Sequence, residues 1–138
     1  MVIGILAILA GVVLVAINPA RQFKIARDSQ RSANISTILN AIGQNLADHG
    51  GVFTCEGVVM PLAMTSTVIA NDSNGADIAR CLVPDYLSTL PFDPSKDSAN
   101  YRDELQYYSG YYLSTDTEGR ITISADGEVS GTLISVVR

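Results

Sequence analysis

"MVIGILAILAGVVLVAINPARQFKIARDSQRSANISTILNAIGQNLAD" (Met1–Asp48) decides how this chain folds. Its first seventeen residues carry no charge, and the next fourteen carry five. After Pro19, which suits a first helical turn or a kink, apolar residues recur at Ile35, Ile38, Leu39, Ile42 and Leu46. That is the spacing of one helix face. Asn34, Ser36, Thr37, Asn40 and Gln44 fill the positions between them. The pattern stops at Asp48-His49-Gly50-Gly51, where glycine takes the left-handed conformation of a helix C-cap. A helix over residues 1–48 would be about 72 Å long. The remainder of a 138-residue chain is too small to cover that length. Residues 20–48 are therefore expected to lay their apolar stripe on a head formed by residues 49–138. Residues 1–17 must be sheltered by something else, either lipid or the same segment of other copies.

Seventeen helical residues reach about 26 Å, slightly short of a bilayer core of about 30 Å. A secretory signal would need a basic start and a small-residue cleavage site, and Met1-Val2-Ile3 and Asn18-Pro19 supply neither. Arg21, Lys24, Arg27 and Arg31 follow the run, so as a plain anchor it would hold the head in the cytoplasm. Cys55 and Cys81, the two cysteines of a small chain, suggest instead a disulfide and an oxidising compartment. The conflict disappears if basic residues once preceded Met1, which would then be an internal position. Gly4, Ala7 and Gly11 lie near one face, and the pair Ala7 and Gly11 permits close helix contact. Gly11, Asn18 and Pro19 weaken the helix and mark a bend or a melted segment.

"VIGILAILAGVVLVAINPARQ" resembles the N-terminal helix of a type IV pilin, and "ARDSQRSANISTILNAIGQNLADHGG" its amphipathic continuation. "LPFDP" and "YYSGYYLS" are similar to segments of pilin and pseudopilin heads. One feature departs from the family: no acidic residue precedes Asp28. The family's glutamate inside the apolar run would fall about ten residues before Met1 when the helices are aligned, so either the N-terminus is truncated, which is the expectation, or this subunit lacks that acidic residue. The resemblance implies an α+β, ladle-shaped fold, a long helix packed against a small antiparallel sheet. It also implies a non-enzymatic subunit that leaves an inner-membrane pool to join a helical filament of identical copies on the cell surface. Such fibres serve adhesion, motility or DNA uptake, and the expected partners include prepilin peptidase and the pilus assembly machinery. Ile3, Gly4, Leu6, Ala7, Gly11, Val12 and Leu14 would pack the filament core. Arg21, Lys24, Arg27, Asp28 and Arg31 are the candidates for charge pairs between subunits. A type II secretion pseudopilin is the alternative, and a membrane-anchored extracytoplasmic binding protein or enzyme is a further one. A mere anchor, however, needs no amphipathic stripe continuous with its span.

The head reads as α+β. Val52-Phe53 and Thr67–Ala70 are β-prone, Asn71–Gly75 is a turn cluster, and a short helix is expected around Asp77–Cys81. Leu105–Ser114, Arg120–Ala125 and Val129–Val137 suggest a three-stranded meander across the long helix, with Asp126-Gly127 as a hairpin signal. Ile121 and Ile123 would face the helix, with Thr122 and Ser124 outside. Tyr107, Tyr108, Tyr111 and Tyr112 straddle both faces of the sheet.

No catalytic constellation emerges. His49 is the only histidine and sits at a helix end, which suits a cap better than a general base. There is no phosphate-binding loop of the Walker type. One histidine and two cysteines make a poor zinc set. A formal net charge of −5 disfavours nucleic acid as a partner for the bulk of the chain. Asp93, Asp97 and Asp103, with Glu104, offer hard oxygen ligands for Ca²⁺, but no EF-hand pattern accompanies them and a solvated loop is the simpler expectation. Asn34 and Asn71 each open a glycosylation triplet, and Asn71 is the plausible acceptor because it lies in a surface turn.

Overall fold

The computed structural model describes residues 1–129 and 131–138. Two helices open the chain, α1 (Val2–Ala16) and α2 (Pro19–Asp48), bent by 54° at their junction. The break falls at Ile17 and Asn18, and the Asn18 side chain accepts from the backbone N–H of Arg21 at 3.3 Å. Proline explains the position: it cannot donate to the ladder, and it disfavours helical geometry in the residue before it. Gly11, also expected to weaken the helix, stays inside α1. A mid-helix glycine costs only about 1 kcal/mol, too little to break an apolar run. α2 ends at His49, followed by Gly50 and Gly51 with φ of 66° and 92°. Glycine, lacking a Cβ, reaches those angles at no steric cost.

Beyond the helices, β1 (Thr54–Cys55) and β2 (Val58–Val59) make a small hairpin. The main sheet uses β3 (Thr67–Ala70), β4 (Asn100–Asp103), β5 (Gln106–Thr115), β6 (Ile121–Asp126) and β7 (Leu133–Val137), with a short helix α3 (Ala79–Leu82) before β4. All pairings are antiparallel, and the path runs β3-β5-β6-β7. Tyr108 pairs with Ala70 on one side and Asn100 on the other, so β4 and β6 share one edge of β5. The expected meander is present as β5-β6-β7, but the sheet has five strands rather than three. The last β-prone run is shorter than expected: β7 begins at Leu133, and Ser130 lies outside the described residues. Asp126 closes β6 and Leu133 opens β7, so the two strands are not joined by a tight two-residue turn; the amides of Glu128 and Val129 donate instead to Asp28 of α2.

The core lies between α2 and the sheet. Ile35, Ile38, Leu39, Ala41 and Ile42 meet Ile121, Ile123, Ala125, Tyr111 and Leu113, with Leu82 and Phe53 closing one end. Thr122 and Ser124 face outward, as the period-two alternation of a strand requires. Tyr107 and Tyr111 point inward, and Tyr108 and Tyr112 lie on the outer face. Each buried isoleucine contributes about 1.5–3 kcal/mol, so this stripe is enough to fix α2 on the head.

Candidate functional site

α1 carries no buried residue at all. Ile3, Leu6, Val12 and Leu14 are exposed apolar side chains, and a Cβ built on Gly4 or Gly11 meets nothing within 4 Å. The seven residues assigned to filament packing thus all stand open in a single chain. No single helix is long and apolar enough to cross a membrane, but α1 and α2 together, as a bent pair, meet that test by length and composition.

Immediately after the bend the charged residues separate into two groups. Arg31 is 2 % exposed. It sits four residues before Ile35, on the same face, and so points into the head. Its guanidinium holds Asp93 in a two-pronged pair at 2.8 and 3.0 Å and donates to Asp28 at 2.6 Å and Glu128 at 2.7 Å, with the Ser95 hydroxyl as a further acceptor. Arg27 pairs with the same Glu128. Asp28 accepts the amides of Glu128 and Val129 at 2.9 Å. Arg27, Asp28 and Arg31 were expected to reach neighbouring subunits, but they bond inside their own chain and clamp the β6–β7 loop to α2. Among the described residues Arg21 and Lys24 make no ion pair, and both are exposed. They line one open groove with Asn18, Ala20, Glu128 and Val129.

The clamp perturbs its own acids. Hydrogen bonds from Arg27, then from Arg31, outweigh burial and hold the Glu128 carboxyl well below its ordinary value. Burial opposes ionisation of Asp93 and Asp28, yet Arg31 with the Ser95 amide, and the loop amides with Arg31, overcome it and lower both. Nearby, burial pushes the Tyr111 hydroxyl up to about 12, although its bond from Asn34 pulls the other way.

Asn45 mirrors Arg31 at the far end of the stripe. Buried at 1 % exposure, it donates to the Thr54 carbonyl at 2.8 Å and accepts the Thr54 amide at 2.9 Å. The next residue, Cys55, is bonded to Cys81 of α3 with 4.5 Å between their Cα atoms. One end of α2 is thereby fixed through a charged cluster and the other through an amide and a disulfide.

The remaining candidates fare differently. Asp93 is consumed by Arg31, Asp97 is exposed, and Asp103 accepts the Leu105 amide. Among the described residues no group of three or more His, Cys, Asp or Glu side chains is placed to hold a metal ion, so the three aspartates do not form a Ca²⁺ site here. Asn71 donates to Asp77 at 2.9 Å, and Asn34 to the Phe92 carbonyl and Tyr111, which ties up both amide nitrogens of the glycosylation triplets. His49 stands at the α2 C-cap with Nδ1 2.8 Å from the Asn45 carbonyl oxygen. Glu128 was missed in the sequence because nothing local links it to α2. The position of Arg31 and Asn45 in register with the Ile35–Ile42 stripe was the one available signal. Compared with known protein families, with curated proteins and with solved structures, the chain matches none.

Proposed function

We propose that the chain is a structural subunit of a type IV pilus-like filament, held in the inner membrane by its apolar helix and polymerised through it into a cell-surface fibre. The carrying observation is the contrast between two consecutive helices. α2 buries its stripe on its own head, whereas α1, fully apolar, buries nothing. About ten exposed Ile, Leu and Val side chains represent roughly 15–30 kcal/mol of transfer from water, so α1 requires lipid or other copies. Within lipid that gain is already held, so assembly must rest on helix packing around Ala7 and Gly11 and on complementary charge. The head does no chemistry in this scheme and presents the fibre's outer surface.

Electron microscopy of sheared surface material from expressing cells tests the proposal. Fibres that label with antibody to the head support it. Surface-exposed subunit with no fibre, together with detergent-free monomers in which α1 folds back on the head, would falsify it.

A further inference from the structure

We infer that the α1–α2 junction is a recognition surface for anionic phospholipid, with Arg21 and Lys24 as its headgroup contacts. This rests on the membrane pool proposed above but not on polymerisation. Four basic residues follow the apolar run in sequence, and the structure divides them. Arg27 and Arg31 are fully committed to Glu128, Asp28 and Asp93, and the third carboxylate charge is held in part by the Glu128 and Val129 amides at Asp28. Arg21 and Lys24, three residues apart on one helix face, remain exposed and without an ion pair among the described residues. Residues 1–27 include no Asp or Glu, so no neighbouring acid on α1 or the first turns of α2 offsets them. Glu128, which borders the same groove, has both carboxylate oxygens engaged by arginines.

The bend sets the depth. With α1 along the bilayer normal, a straight continuation would carry Lys24 about 9 Å beyond Asn18. Inclined by 54°, the same residues rise only about 5 Å. That stays within a headgroup layer of about 5–7 Å on each side of the hydrocarbon. Phe23, 64 % exposed, stands between the two cations in sequence and lies outside the head's core cluster, so an apolar side chain of the same turn is open to the interface. An apolar segment, a bend that keeps the next turn at the surface, and two uncompensated cations fit a lipid phosphate layer of negative charge.

The test uses the full chain, kept exchangeable in dilute detergent. It is offered phosphatidylcholine vesicles and vesicles of equal parts phosphatidylcholine and phosphatidylglycerol, which are separated by flotation. Two basic residues near an anionic surface predict about a thirty-fold preference for the mixed vesicles at low salt, falling as salt rises. The double variant Arg21→Gln, Lys24→Gln should lose most of it. Arg102→Gln, on the head and also exposed, should keep it. Inorganic phosphate at matched ionic strength should displace no more protein than chloride does. Absence of a preference in the unaltered chain, its persistence in the double variant, or specific displacement by phosphate would overturn the inference. Fibres without lipid preference would sink this inference alone, and lipid preference without fibres would sink only the filament.

Discussion

Arg31 occupies a position where one more isoleucine would have extended the stripe of α2. Burying a guanidinium there is tolerable only because Asp93, Asp28, Glu128 and Ser95 complete its bonds. No buried side-chain nitrogen or oxygen among the described residues is left without a partner. Removing one member leaves the others uncompensated, so Arg31→Met should cost about 3–5 kcal/mol. Adding Asp93→Leu should recover part of that loss, and urea denaturation of the detergent-held chain measures both. Acid should act on the same cluster. Asp28 and Asp93 titrate near 3.8 and Glu128 near 4.5 when unfolded, and all three are lower when folded. The unfolded chain therefore binds more protons in this range, and stability falls as pH drops below about 4.5. Above that pH the contribution is complete. A melting temperature flat from neutrality to pH 5 and declining below is the expected profile; a decline beginning near pH 7 would contradict it. Sequence reading singled out Arg31 but not its burial, for a plain reason. An arginine beside polar neighbours is ordinarily solvated, and only its register with Ile35 and Ile38 hinted otherwise, since Asp93 and Glu128 are remote in the chain.

At the scale of elements, legibility followed periodicity. The Ile35–Leu46 spacing foretold which face of α2 is buried, and Ile121 and Ile123 foretold the inner face of β6, because both patterns arise from local geometry. β4 carried no such signal. Asn-Tyr-Arg-Asp has neither alternation nor branching, and it becomes a strand through pairing with Tyr107 and Tyr108, helped by the Tyr101–Tyr107 ring contact at 6.1 Å. The Cys55–Cys81 bond joins β1 to α3, two elements that Asn45 also bridges through the Thr54 and Cys81 carbonyls. Closing a loop of 26 residues contributes about 3.5 kcal/mol in the chain-entropy model. Cys55→Ser should therefore lower the melting temperature by about 10–15 °C, and an unchanged value would mean that the hairpin is already held by Asn45. α1 behaves oppositely. Leucine at Gly11 has free space in the single chain, so Gly11→Leu should leave the head's melting temperature unaltered while reducing fibre yield. Normal yield would argue against close helix approach at that residue.

For the whole molecule, folding and assembly are assigned to different segments. The core, the charged clamp and the disulfide all lie between Arg27 and Arg138, and α1 contributes no buried residue to any of them. A chain running from Asn18 to Arg138, which keeps the cap of α2, should therefore fold alone. It should melt within about 3 °C of the detergent-held full chain, as expected when only exposed groups are removed. It should also run as a monomer without detergent, because the apolar surface that demands a partner has gone. Sedimentation and circular dichroism decide the matter. Fibres formed by the shortened chain would place the assembly contacts on the head. Loss of fold would show that α1 supports the core through contacts that a single subunit does not reveal. Retained fold with monomeric behaviour is the outcome required if α1 alone is the element that copies share.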